Sequence, residues 1–563
     1  MSNDRTKTSN NVEKFFFLAS AADFKKISGC PIAYWVSHNL RKTFLNMPPI
    51  KDFATVAVGL QTGDNAKFIR RWHEVSLTNV DFQIESRAIA KLNGKKWFPY
   101  NKGGDFRKWY GNQEYVVNWK NDGEEIRNFI DDKGKQRSRP QNTECYFRLS
   151  VSWSFISSSY FGVRYYPKGF IFDVAGSSAI PNGKVSHEEM VAFLCSSVAL
   201  KIMGAMNPTL NFQAGNIEQL PFFEVGAAEI GSKCIELAKI DWNNYETSWD
   251  FTVNPLIRQN QTTFNAAFEH WQAQNRTAIK NMKQLEEENN SLFINSYGLQ
   301  DELSPDVPEE LITLGRSDRE KDCQSFISYA VGCMFGRYAL DKPGLILANQ
   351  GETIADYLKQ IPEPVFSADD DNVIPMLDGD WFTDDVTERF GQFLKVTFGD
   401  AHYEENLKFI EQALGKDIRK YFLKDFYTDH LKRYKKRPIY WLFSSPKGTF
   451  NALIYMHRYR PDTVSVVLND YLREFRTKLS AHKNHLEAVS ISSNASAGDK
   501  TKALKDIENH RKMIDELDVY EREVLYPLAT EQIEIDLDDG VKVNYQKFGE
   551  ALKKIPGLAA KED

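Results

Sequence analysis

Cysteine is scarce and scattered. The six residues Cys30, Cys145, Cys195, Cys234, Cys323 and Cys333 form no Cys-x-x-Cys pair and have no histidine at ligand spacing. A disulfide scaffold and a zinc site are therefore not expected, and a reducing cytoplasm is the natural setting. No uninterrupted apolar run reaches the ~20 residues that a membrane helix needs, so no membrane partner is expected. The start, Met1-Ser-Asn-Asp-Arg-Thr-Lys-Thr-Ser9, is polar and leads only to the short run Phe15-Phe-Phe-Leu18, which is no signal peptide.

Catalytic signatures are missing too. There is no His-Glu-x-x-His, no Gly-x-Ser-x-Gly, and no acidic pair followed by Glu-x-Lys. A base-modifying amino-methyltransferase needs a Gly-rich turn for S-adenosylmethionine and an Asn/Asp-Pro-Pro-aromatic tetrad that takes the target amine. Asn46-Met-Pro-Pro-Ile50 has an insertion and no aromatic, and Asn207-Pro-Thr-Leu210 lacks the second proline, so both are decoys. His482 and His485 fall on a charged helix, and His187 at a helix start. No catalytic, cofactor-binding or metal-binding residue is assigned.

What is present is a long, ordinary, aromatic-rich chain. At roughly 100–200 residues per domain, 563 residues make about three to five domains. Apolar residues at 42% and charged residues at 26% exclude wholesale disorder. The net charge of -6 argues mildly against a protein that coats nucleic acid everywhere, but not against a local basic groove. Aromatics reach 13% and cluster.

Short alternating runs dominate residues 50–223: Thr55-Val-Ala-Val58, Tyr115-Val-Val-Asn-Trp119 and Gly169-Phe-Ile-Phe-Asp-Val174. One helix, Glu188–Lys201, interrupts them. Helical periodicity then covers Thr262–Leu292 and Lys321–Tyr338. The predicted organisation is a connector over 1–49, a β-rich unit over 50–223 and a helical unit over 224–365. An acidic linker (366–382), a basic α/β segment (383–463), an antiparallel helical hairpin (464–530) and a tail (531–563) follow. The fold class is α+β and multidomain, with no Rossmann-like methyltransferase domain.

Three basic features stand out. In Lys95–Gln113, the cations Lys95, Lys96, Lys102, Arg107 and Lys108 interleave with Trp97, Phe98, Tyr100, Phe106, Trp109 and Tyr110 around Gly103-Gly104. Cations neutralise phosphates and aromatic faces meet bases. The same composition also describes a loop whose rings fill a core, and both readings stay open. In Val58–Trp72, Gly63-Asp64-Asn65 turns the chain and Lys67, Arg70 and Arg71 leave it; read alone, this is a structural turn and not a nucleotide P-loop. Lys416–Arg437 carries nine cations, Lys432, Arg433, Lys435 and Lys436 among them, against three aspartates, a balance that marks an anionic partner.

Several long strings together resemble the C-terminal half of the PglX family, adenine-specific DNA methyltransferases of BREX phage-defence systems. They include Asp23-Phe-Lys-Lys-Ile-Ser-Gly-Cys-Pro-Ile-Ala-Tyr-Trp-Val36, Thr62-Gly-Asp-Asn65, Trp97-Phe-Pro-Tyr-Asn-Lys-Gly-Gly-Asp-Phe106 and Leu210-Asn-Phe-Gln-Ala-Gly-Asn-Ile-Glu-Gln-Leu-Pro221. Ser328-Tyr-Ala-Val-Gly-Cys-Met-Phe-Gly-Arg-Tyr338 and Tyr440-Trp-Leu-Phe-Ser-Ser-Pro-Lys-Gly448 continue the series. The resemblance implies that 50–223 is a target-recognition domain binding double-stranded DNA, with long helices as spacers. It maps Thr62, Gly63, Asn65 and the 95–109 loop onto the DNA-facing region. The family's catalytic half, with its S-adenosylmethionine site, has no counterpart here, so the chain is expected to be inactive alone. It would work beside a separate catalytic chain or other BREX components. The alternative is a protein-interaction scaffold of the defence complex, assembled through the 464–526 hairpin.

Overall fold

The structure is a computed structural model that describes residues 21–558 apart from 26, 28, 157–159, 208 and 210. The polar start and the Phe15–Leu18 run lie outside the described residues. The fold is mixed α+β and multidomain, as the sequence predicts.

Among the described residues, eleven strands make three small sheets. Strands β1 (Ala54–Ala57), β8 (Ser178–Pro181), β5 (Ser150–Trp153) and β6 (Val163–Tyr166) join in that order, all antiparallel. Strands β2 (Ile69–Arg71), β4 (Tyr115–Asn118), β3 (Trp97–Asn101) and β7 (Ile171–Phe172) form the second sheet, with β3 and β7 parallel. Far along the chain, β10 (Tyr440–Ser444), β11 (Asn451–Tyr455) and β9 (Ile374–Pro375) make the third. The first two sheets enclose a core of Leu60, Phe98, Trp119, Phe147 and Phe172. Strand β3 is buried along its whole length, which is why its aromatics are consecutive rather than alternating.

The helix predicted over 188–201 is two helices. His187–Leu194 ends at Cys195, and Ser196 starts Ser197–Met206 by accepting the Ala199 N–H, with a 64° bend between them. The serine's preference for capping wins over apolar periodicity that runs straight through it. Among the described residues no single helix is long and apolar enough to cross a membrane.

Helix Phe264–Tyr297 is 34 residues long, capped by the Thr263 hydroxyl and stopped at left-handed Gly298. At 1.5 Å per residue it is a rod of about 51 Å. Its first turns (Phe264, Phe268, Trp271) belong to the core of the C-terminal half, and its last turns (Phe293, Ile294, Tyr297) to the core of the N-terminal half. One helix thus fixes the two cores relative to each other.

The segment 366–382 is not a linker. Its Val373-Ile-Pro-Met-Leu377 run is buried, and Ile374 and Pro375 pair with β11, so an apolar strand lies inside the acidic stretch. Helices Glu474–Ile491 and Ala497–Tyr520 form an antiparallel hairpin across the Ser/Gly turn. Arg473 and Arg476 of the first arm reach Glu521 and Asp518 of the second.

Candidate nucleic-acid interface

Strand β2 needs a turn before it, and the chain supplies one. The Thr62 hydroxyl donates to Asn65 Oδ1 at 2.6 Å, and the Asp64 carboxylate accepts the Lys67 N–H, capping the short helix Asn65–Phe68. Thr62 is buried, so Thr62 and Asn65 serve the turn rather than a surface. Lys67 leaves the turn to pair with Glu125 at 3.0 Å. Arg70 and Arg71 follow in β2 and point to an open cleft.

The cleft has a volume of about 720 Å³. Arg70, Arg71 and Tyr115 come from the second sheet, Lys102 from the end of β3, Lys435 and Arg437 from the loop before β10, and Lys542 from the C-terminal segment. Six cations face it, against the carboxylates of Glu74 and Asp539. Glu74 is already engaged by the backbone N–H groups of Arg71 (2.8 Å) and Val541 (3.0 Å). Beneath the rim, Glu114 holds Arg71 at 2.7 Å and Lys435 at 3.2 Å. Burial opposes the Glu114 charge, but Arg71 and Lys435 outweigh it and hold its carboxyl below the usual carboxylate range.

The wall that carries Lys435 is strained. Helix Tyr427–Arg433 ends with the Lys436 N–H donating to the Leu431 carbonyl (2.7 Å), a left-handed C-cap usually built on glycine. Here Lys435 and Lys436 stand at φ 48° and 62°. Non-glycine residues in this region cost of order 1–2 kcal/mol each.

The cleft gathers three of the residues singled out in the sequence, Arg70, Lys102 and Lys435. The others lie elsewhere. Tyr100 is buried, donating to Asp173 at 2.5 Å. Lys95 donates to the Thr78 carbonyl, and Lys96 pairs with Asp538 at 3.1 Å. Arg107 pairs with Asp241 at 2.6 Å and lies over the Trp242 ring. Lys108 is 7% exposed and bound to Glu286, which also takes the Trp109 indole N–H at 2.8 Å. Of the two readings left open for this loop, the rings do fill a core, and most of its cations are spent on internal carboxylates. Gly103 serves packing as well, since a Cβ there would stand 2.7 Å from the Ala175 carbonyl oxygen. In the second basic stretch, Lys432 is exposed near Asp429 (3.9 Å), and Lys436 is exposed on the strained loop. Arg433 lowers the pKa of the buried Glu246 carboxyl, which burial raises more strongly.

Sequence reasoning did not find Lys542, and it named Arg71 and Arg437 among basic stretches and Tyr115 in a strand without assigning any of them to the site. Arg71 and Tyr115 face each other in the register of β2 and β4, with the guanidinium donating to the Tyr115 hydroxyl at 2.9 Å. Alternation could not have found them, since Arg70 and Arg71 are adjacent in β2 and both line the cleft. Lys542 carries no signal either, because it reaches the cleft only through the loop around Asp538. That carboxylate accepts from Trp97 Nε1 (2.7 Å) and Lys96, while the Asp538 carbonyl accepts from Arg70 Nε (3.0 Å).

A cleft lined by six cations and two carboxylates suits an anionic ligand.

Over nearly its whole length the chain is similar to adenine-specific methyltransferases. Those matched include adenine-specific methyltransferase PglX of Lacticaseibacillus casei (strain Zhang), 38% identical over 96% of this chain, and adenine-specific methyltransferase BrxX of Escherichia coli O9:H4 (strain HS), 35% identical over 95%. Each alignment covers 46% of the relative, so the chain spans about half the length of the curated relatives it matches. No known family profile matches the chain.

Proposed function

We propose that this chain is the DNA-recognition half of a BREX-type, site-specific adenine DNA methyltransferase, and that it grips duplex phosphates in the cleft between β2, Lys435 and Lys542. The cation-lined cleft is the observation that carries the reading, and the names of the relatives supply the substrate class. Double-stranded DNA is the partner. A separate catalytic chain, or other BREX components, would bring S-adenosylmethionine and the methyl-transfer site; alone, this chain transfers no methyl group.

The test is duplex binding by fluorescence anisotropy across a salt series. Changing Lys102, Lys435 and Lys542 together to Ala removes three cations and should flatten the slope of log K against log salt by about 2.7, at ~0.9 per phosphate contact. An unchanged slope, or no salt-dependent duplex binding by the wild type, overturns the reading. The scaffold alternative draws support from the hairpin tip, where Ile491 is 84% and Leu504 59% exposed. Capture of BREX components without any duplex affinity would favour it.

A further inference from the structure

A second cationic element lies beside the cleft. Between Phe129 and Arg139 the chain doubles back on itself. Ile130 bridges Gln136, the Arg137 N–H donates to the Phe129 carbonyl at 2.9 Å, and the Asp131 carboxylate takes the N–H groups of Lys133 and Lys135 at 2.9 Å each. Gln136 Nε2 ties the turn down through the Arg127 carbonyl (2.9 Å) and the Ser138 hydroxyl (2.8 Å). Its base is seated on the turn at Gly63. Arg139 and Gln61 exchange backbone hydrogen bonds of 2.7 and 3.1 Å, and a Cβ at Gly63 (φ 76°) would stand 2.7 Å from the Arg137 carbonyl oxygen. Gly63 is required here because the hairpin packs directly on it.

The charges on this hairpin differ from those around it. Lys67, Arg71, Arg87, Lys96, Arg107 and Lys108 in the same unit are all ion-paired. Lys133, Lys135, Arg137 and Arg139 are all exposed. Arg137 lies over the Phe129 ring and reaches the Gly63 carbonyl, whereas the charged ends of Lys133, Lys135 and Arg139 meet no partner among the described residues. Asp131 is spent on the turn. Lys133, Lys135 and Arg139 on this bridge-closed turn, with only Asp132 as a further carboxylate on it, present an excess of positive charge that an anionic or acceptor-rich surface would meet.

We propose that the hairpin 129–139 enters the major groove of duplex DNA and reads base edges through Lys133, Lys135 and Arg139. The inference rests on the reading of the cleft as the backbone grip and divides the labour with it. The helix Asn65–Phe68 joins the two elements: Ala66 lines the cleft, and Lys67 sits 5.0 Å from the Phe129 ring at the foot of the hairpin. The major groove admits a doubled-back pair of backbone segments, and the bridge between Ile130 and Gln136 gives the turn that form; donors of this kind pair with the N7 and O6 acceptors of guanine. The recognised site therefore contains G·C pairs under the hairpin.

The test selects bound duplexes from a randomised library with the full chain and with K133A/K135A/R139A, whose exposed positions leave the fold intact by circular dichroism. The wild type should enrich a motif containing guanine. The variant should still bind duplex but lose at least about tenfold of its preference for that motif over a scrambled one. Equal enrichment by the variant, or duplex binding by the wild type with no motif, overturns this proposal and leaves the cleft reading intact. Absence of duplex binding by the wild type overturns both.

Discussion

Replacing Lys435 by glycine separates what the cleft wall does for folding from what it does for binding. Lys435 stands at φ 48°, where an L-residue pays about 1–2 kcal/mol that glycine does not. Against this relief, glycine carries ~0.5–1 kcal/mol of extra chain entropy into the unfolded state. The lost ion pair to Glu114 is half-exposed on the lysine side, with 48% of that side chain accessible, and is worth at most a few tenths of a kcal/mol. The terms nearly cancel, so the thermal midpoint of Lys435→Gly should lie within a few degrees of the wild type. Binding should behave differently. One phosphate contact fewer lowers the salt slope by ~0.9, which at 0.15 M salt corresponds to about fivefold weaker duplex binding. Lys435→Ala removes the same ammonium but keeps the strain, so it should bind like the glycine variant while melting lower. Unchanged affinity and slope in Lys435→Gly would refute the assignment of this strained wall to phosphate binding. A large drop in its midpoint would show instead that the lysine holds the fold.

Lys108→Ala should cost about 3–5 kcal/mol, because it strands Glu286 in the core, and a thermal melt should show it; Lys108→Met with Glu286→Leu should recover most of that loss. His457 is buried and donates to the Val75 carbonyl, and burial followed by Arg337 pushes its pKa down to about 3. Its neutral form is the native one, so its contribution is fully present above the unfolded value near 6.5 and is lost as the pH falls toward 3. Burial raises the Asp322 carboxyl to about 6, which works in the opposite sense, so the informative quantity is the difference between wild type and His457→Gln at each pH. That difference should shrink by about 1.4 kcal/mol per pH unit between pH 6.5 and 5 in urea titrations, and a constant difference would contradict it.

Elements whose signal is local were legible in the sequence. The alternating runs became β1 and β4, the three-and-four periodicity became the helix Phe264–Tyr297, and the Ser/Gly turn became the bend of the hairpin. Charge pairing was not legible. The carboxylates that neutralise Lys96, Arg107 and Lys108 lie 442, 134 and 178 residues away in sequence, so composition could not decide between an exposed basic surface and a core-filling loop at 95–109. Lys133, Lys135 and Arg139 sit beside Asp131 and Asp132 in the sequence, and only the fold shows that the Asp131 carboxylate is committed to backbone N–H groups. Whether a cation is available to a partner is a property of tertiary structure.

The clasp of Asp538 on Trp97, Lys96 and Arg70 has a consequence for the protein's biogenesis. Translation delivers residues 69–115 long before residues 536–546, and domains fold as they emerge. The two β-sheets of the N-terminal half therefore mature on the ribosome with one bank of the groove still missing. Until residues 536–546 arrive, Lys96, Trp97 and Arg70 lack the Asp538 partner that holds them, so the cleft takes its final shape only with the last part of the described chain.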